Sequence, residues 1–157
     1  MVFNIEKKSE QSQSLHVQPV FSVIKEVIFS INSKKEWVKV TSLGKEDFGK
    51  NSYDISLLTL LESPYKGLKD KISKALYENK MDQSLVKSFP FNLVVLSGLK
   101  SGSEYWIQLA MSWLKVNKSL ITGEISNFLK SISDNKKYSQ KVRHAAMKIN
   151  REDNIGY

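Results

Sequence analysis

The chain has 157 residues, room for one domain of ordinary size, and its 41% apolar and 25% charged content is that of a folded protein. It has no cysteine and only two histidines, His16 and His144. That composition excludes a disulfide scaffold, a cysteine nucleophile, an iron–sulfur cluster and a Cys- or His-rich metal centre, and no cofactor is expected.

Residues 1–16 are polar and aperiodic and read as a loosely ordered lead-in. Pro19 suits a first helical turn, and Val20, Ile24, Val27, Ile28 and Ile31 recur at helical spacing, which predicts a helix near 19–32. The segment 34–43 fits a short helix or a short strand near 36–41, with helix preferred, and 44–51 reads as a glycine-containing loop. From Tyr53 the pattern is clearer. Ser52 or Asp54 caps a helix carrying Ile55, Leu57, Leu58, Leu60 and Leu61, which stops before Pro64. A second helix over 65–79 has Leu68, Ile72, Ala75 and Leu76 on one face, and Asp82 opens a short helical piece to Ser88, broken by Pro90.

The apolar run Phe91–Leu99 is followed by Ser103, which caps a strong helix over 104–116 with Trp106, Leu109, Ala110, Trp113 and Leu114 aligned. Two more helices are expected at 122–133 and 139–150, and 152–157 is a polar tail. Helices of this length joined by short links predict an all-α fold, one domain over 17–151, built of antiparallel helix pairs. No apolar run reaches the roughly 18 residues needed to span a bilayer, and the start has no apolar leader region, so a soluble cytoplasmic protein is expected.

The closing stretch ITGEISNFLKSISDNKKYSQKVRHAAMKINRE resembles a HEAT or armadillo repeat unit. The matching residues are Phe128, Leu129 and Ile132, then Asp134, then Val142, Arg143, Ala145 and Ala146, with a turn longer than the family's. The pair Phe91–Leu99 and Tyr105–Val116 has the same helix–turn–helix form at a period of roughly 40 residues. The resemblance implies a stack of helix pairs whose concave surface holds other macromolecules, with Arg143 reaching toward Asp134. Proteins of this kind include partner-binding modules and immunity proteins that block a toxin, and a subset resembles helical DNA glycosylases.

The formal charge is +8, from 24 cations against 16 acids, and 22 of the cations are lysine. Lysine is a hydrated point charge without the planar fork that reads guanine, so the surplus suits electrostatic steering better than base recognition. It is densest over 130–148, where Lys130, Lys136, Lys137, Lys141, Arg143 and Lys148 face Asp134 alone.

Catalytic motifs are thin. LVVLSGLKSGSEYW resembles a phosphate loop, but Gly98, Gly102 and Ser103 stand one residue short of the spacing and no lysine follows Gly102. His144 has no second ligand at helical spacing, and Glu46–Asp47 and Glu152–Asp153 are sequence neighbours whose side chains diverge. Trp106 and Trp113 read as core, whereas Tyr105 and Tyr138 are candidate interface anchors. The expectation is therefore a non-enzymatic protein that binds and occludes a partner protein with an acidic surface, of an inhibitor or immunity type. The contact residues would be Tyr105, Tyr138, Lys136, Lys137, Lys141 and Arg143. The alternative is nucleic-acid binding through 130–148, and a glycosylase-like enzyme would have to draw its acid from Asp134 or Glu104.

Overall fold

The computed structural model describes residues 16–48 and 55–155. In chain order these form strands β1 (Val17–Ile24), β2 (Val27–Asn32), β3 (Trp37–Thr41) and β4 (Gly44–Asp47). Helix α1 (Ile55–Leu58) follows and runs on as a 3₁₀ turn, Thr59–Glu62. Then come α2 (Tyr65–Glu78), α3 (Leu85–Ser88), α4 (Phe91–Lys100), α5 (Glu104–Val116), a 3₁₀ turn (Lys118–Leu120), α6 (Gly123–Asp134) and α7 (Gln140–Ile155). Two compact units emerge. One holds the sheet, α2 beyond Tyr65, and α3; the other holds α1 with Tyr65, and α4 to α7. The expected lead-in, apart from His16, and the caps at Ser52 and Asp54 lie outside the described residues.

The sheet is a four-stranded antiparallel meander in the order β1-β2-β3-β4. It overturns the all-α, HEAT-like expectation, and the predicted helix over 19–32 is in fact a β-hairpin. Val27, Phe29 and Ile31 alternate toward one face, the period-two pattern of a strand. In β1 that alternation is broken by irregularities between Pro19 and Phe21 and between Ser22 and Ile24, so Val20 and Phe21 are both buried. Pro19 sits in an edge strand, where its missing N–H is tolerated. The connecting turn is Lys25–Glu26, with neither glycine nor asparagine to announce it; the Ser22 hydroxyl braces it from 2.6 Å to the Ile24 carbonyl and 2.7 Å to that of Val27.

Both sheet faces carry buried residues. On one, Phe21 stacks on Phe29 at 4.7 Å, and Trp37 meets Phe89 edge-on at 5.1 Å while its indole N–H donates to the Leu85 carbonyl at 2.9 Å. On the other, Val17, Val38 and Val40 cluster with Ile28. Central strand β3 therefore buries Trp37, Val38, Lys39 and Val40 in succession, a run without the alternation that marks a half-solvated strand. Lys39 is 4% exposed and pairs at 3.4 Å with Glu46, its cross-strand neighbour on β4.

Two backbone features close this unit. The β2–β3 loop is fixed by Asn32, whose N–H donates to the Glu36 carbonyl and whose side-chain oxygen accepts from the N–H groups of Lys34 and Glu36; Lys35 occupies the left-handed region at φ 62°. Helix α2 buries Leu68, Ile72 and Leu76 on one stripe and ends in a Schellman arrangement. The Met81 N–H donates to Leu76 O at 2.9 Å, the Lys80 N–H donates to Tyr77 O at 3.0 Å, and Lys80 is left-handed at φ 55°.

In the helical unit α4 packs on α5 and α6 on α7, with α4 also against α6 and α5 against α7. Helix α4 is buried nearly all round from Val94 to Leu99. Gly98 permits a close crossing: a Cβ there would lie 2.9 Å from the Ala110 Cβ and 3.0 Å from the Trp106 carbonyl. The inward face of α5 is Ile107, Ala110, Met111, Trp113 and Leu114; Trp106, expected in the core, is only half-buried. Trp113 donates to Ser63 O at 3.0 Å and meets Tyr65 and Phe91 edge-on, which ties α1 and its 3₁₀ turn to the bundle. Thr122 caps α6 by accepting from the Ile125 N–H, and Ser139 caps α7 by accepting from the Val142 N–H.

Candidate functional site

The sequence-derived contact residues gather around the α5 start and the α6–α7 turn of the helical unit. Asn135 shapes that turn: its side-chain oxygen accepts from the Lys137 N–H at 3.0 Å and its carbonyl from the Tyr138 N–H at 3.1 Å. The long NKKYSQK segment is thus an ordered Asx-type turn. The Glu104 carboxylate, in the first turn of α5, accepts a hydrogen bond from the Ser139 N–H. The Lys137 ammonium stands 3.8 Å from where a Cβ on Gly102 would project and 5.5 Å from the Tyr138 ring centre. These contacts set the α4–α5 turn beside the α6–α7 turn.

Around that junction Lys136, Lys137 and Lys141 are exposed and Tyr138 is half-buried. Tyr105, next to Glu104, is 55% exposed; it meets Trp106 edge-on at 4.8 Å and donates its hydroxyl to Glu62 at 3.3 Å. Arg143 points differently: it is half-buried, and its Nε is buried with no hydrogen-bond partner. No ion pair among the described residues joins it to the exposed Asp134, as the repeat resemblance implied. Glu104 is engaged as a brace between two turns and His144 is exposed on α7. Elsewhere on the unit Lys100 pairs with Glu124 at 3.1 Å. Lys118 donates to Glu152 at 3.0 Å, and that bond and charge hold the Glu152 carboxyl below the usual range.

The sheet unit contains a cleft of about 450 Å³ that sequence reasoning missed. Three chain segments form its rim: His16 ahead of β1, the β2–β3 loop with Lys35, and the stretch Lys80–Asp82 after α2. The Asp82 carboxylate accepts from the Ser84 N–H at 2.9 Å. That bond, the Ser84 side chain and then the Lys35 charge hold Asp82 below the ordinary aspartate range. The signals were present but weak: Asn32 is a turn former followed by two lysines, and the stripe Leu68-Ile72-Leu76 runs out at Asn79-Lys80 with no glycine.

Among the described residues no group of three or more His, Asp or Glu could hold a metal ion, and no helix is long and apolar enough to cross a membrane. The chain matches no family model, no curated protein and no solved structure.

Proposed function

We propose that this protein acts by binding: the turn end of the helical unit docks on an acidic surface of a partner protein and occludes it. One observation carries the reading. The braced turns present Lys136, Lys137 and Lys141 with Tyr138 at the junction where α5 begins, and Tyr105 flanks it. Mobile lysines at a rim steer an acidic partner and raise its rate of encounter, while a tyrosine supplies contact area at low entropic cost. Arg143, half-buried, is left out of the contact set.

The test is native purification of the tagged full chain beside the charge-reversed variant Lys136→Glu/Lys137→Glu/Lys141→Glu, with circular dichroism confirming that both are folded. The expected result is one stoichiometric acidic protein that survives moderate salt with the wild type and is lost with the variant. A partner held equally by both would overturn the proposal. So would retardation of duplex DNA or RNA that collapses steeply with salt, which would assign the same lysines to phosphate instead.

A further inference from the structure

We propose that the cleft in the sheet unit is a binding site for a small organic monocarboxylate, with Lys35 and Lys80 holding the carboxylate. The inference does not rest on the helical unit. Among the described residues the non-glycine positions with positive φ are His16 (54°), Lys35 (62°) and Lys80 (55°), and all three line this one cleft. They come from three separate segments, so no single loop's geometry explains the coincidence.

Two of these are places where glycine is the default. Lys35 lies in the tight β2–β3 loop, and Lys80 is the left-handed residue of the Schellman closure that ends α2. Lysine brings none of the local hydrogen bonding that lets asparagine accept the left-handed region. What it brings is charge. Neither Lys35 nor Lys80 has an ion-pair partner within 4 Å among the described residues. Residues in strained backbone regions concentrate where a ligand is held, and here two of the three are lysines that bring the same charge to one cleft.

The rest of the cleft sets the ligand class. Buried Val17, Ile31 and Leu85 supply apolar wall, so the guest has a hydrocarbon body. Asp82, held ionised beside Lys35, offsets one of the two lysine charges. Across Lys35, Lys80 and Asp82 one net positive charge remains, which matches a single carboxylate. The volume of about 450 Å³ lies in the range of small-molecule sites.

The experiment is an amide NMR titration of the full chain with hexanoate, beside hexanamide as the neutral isostere and acetate as the head group alone. Hexanoate should give saturable shifts at the amides of Lys35, Lys80 and Ser84, with both comparators weaker by about tenfold or more. The variant Lys35→Gly/Lys80→Gly should bind hexanoate about tenfold more weakly or worse while staying folded, because glycine suits both positions. Equal shifts from hexanoate and hexanamide would overturn the proposal, as would unchanged binding by the double variant or shifts that do not saturate.

Discussion

Gly98→Ala sets two known effects against each other at one buried position. Replacing a helix-interior glycine by alanine normally stabilises by about 1 kcal/mol, because the unfolded chain loses freedom and the helix gains a better former. At Gly98 the added methyl would sit 2.6 Å from Leu61 Cδ1, 2.9 Å from Ala110 Cβ and 3.0 Å from the Trp106 carbonyl oxygen. Carbon pairs are comfortable at roughly 3.5–4.0 Å, so both carbon contacts are short by half an ångström or more, and the oxygen contact is tight as well. Leu61 is 1% exposed and has little room to turn away, and the other two atoms belong to the α5 backbone or its first carbon. Helices α4 and α5 must therefore separate. Overpacking costs about 1–3 kcal/mol, and with three short contacts the upper part of that range, about 2–3 kcal/mol, applies; less the propensity gain, a net loss of about 1–2 kcal/mol remains. Urea unfolding followed by tryptophan fluorescence should show a lower midpoint, and thermal unfolding a Tm lower by about 2–8 °C. Gly123→Ala is the control: it starts α6 with nothing within 4 Å of the added carbon, so it should be neutral or slightly stabilising. Combining Gly98→Ala with Ala110→Gly should recover part of the loss beyond additivity, since it removes the 2.9 Å contact. A Gly98→Ala protein as stable as wild type would refute the close crossing.

The left-handed lysines give an effect of opposite sign. Lys80→Gly and Lys35→Gly should each stabilise by about 0.5–1 kcal/mol, read as raised urea midpoints, because a side chain in that region crowds its own carbonyl and glycine does not. The pH dependence of Asp82 follows from its lowered pKa. The contribution is present above the unfolded aspartate value of about 3.9 and is lost as pH falls through the lower folded value. A carboxyl-carbon NMR titration should place Asp82 below the ordinary aspartate value, and Lys35→Gly should move it upward by removing a nearby positive charge; a midpoint in the ordinary range would contradict the Ser84 contact.

The helical unit was legible because its periodicity and its punctuation agree. Helix α5 runs over Glu104–Val116, the span its apolar spacing indicates, with Ser103 at the N-cap position although its side chain makes no capping bond, and α2 ends within a residue of its expected limit. The sheet was not legible because three ordinary strand signals are missing at once. Irregular pairing disrupts the alternation in β1, both faces of β2 and β3 are buried so neither strand reads as half-polar, and the β1–β2 turn is Lys-Glu. A short run of Val and Ile satisfies a 3.6 period as readily as a period of two, and only pairing between strands decides. Lys39 sharpened the ambiguity, since a lysine in sequence signals solvent, yet this one is buried beside Glu46.

The two candidate surfaces differ in the same way. The cations over 130–148 are dense along the chain, so a composition window finds them without knowing the fold. Those of the cleft lie far apart in sequence, at Lys35 and Lys80, and each has acids close by in Glu36, Glu78 and Asp82, so the local charge looks balanced. What singles them out is the backbone: a lysine where a helix closure or a hairpin loop would ordinarily take glycine. That signal needs the end of α2 and the register of β2 against β3 before it exists at all. A surplus of +8 therefore overstates the helical end as the protein's charged site, because charge placed at a conformational cost is more informative than charge that is merely abundant.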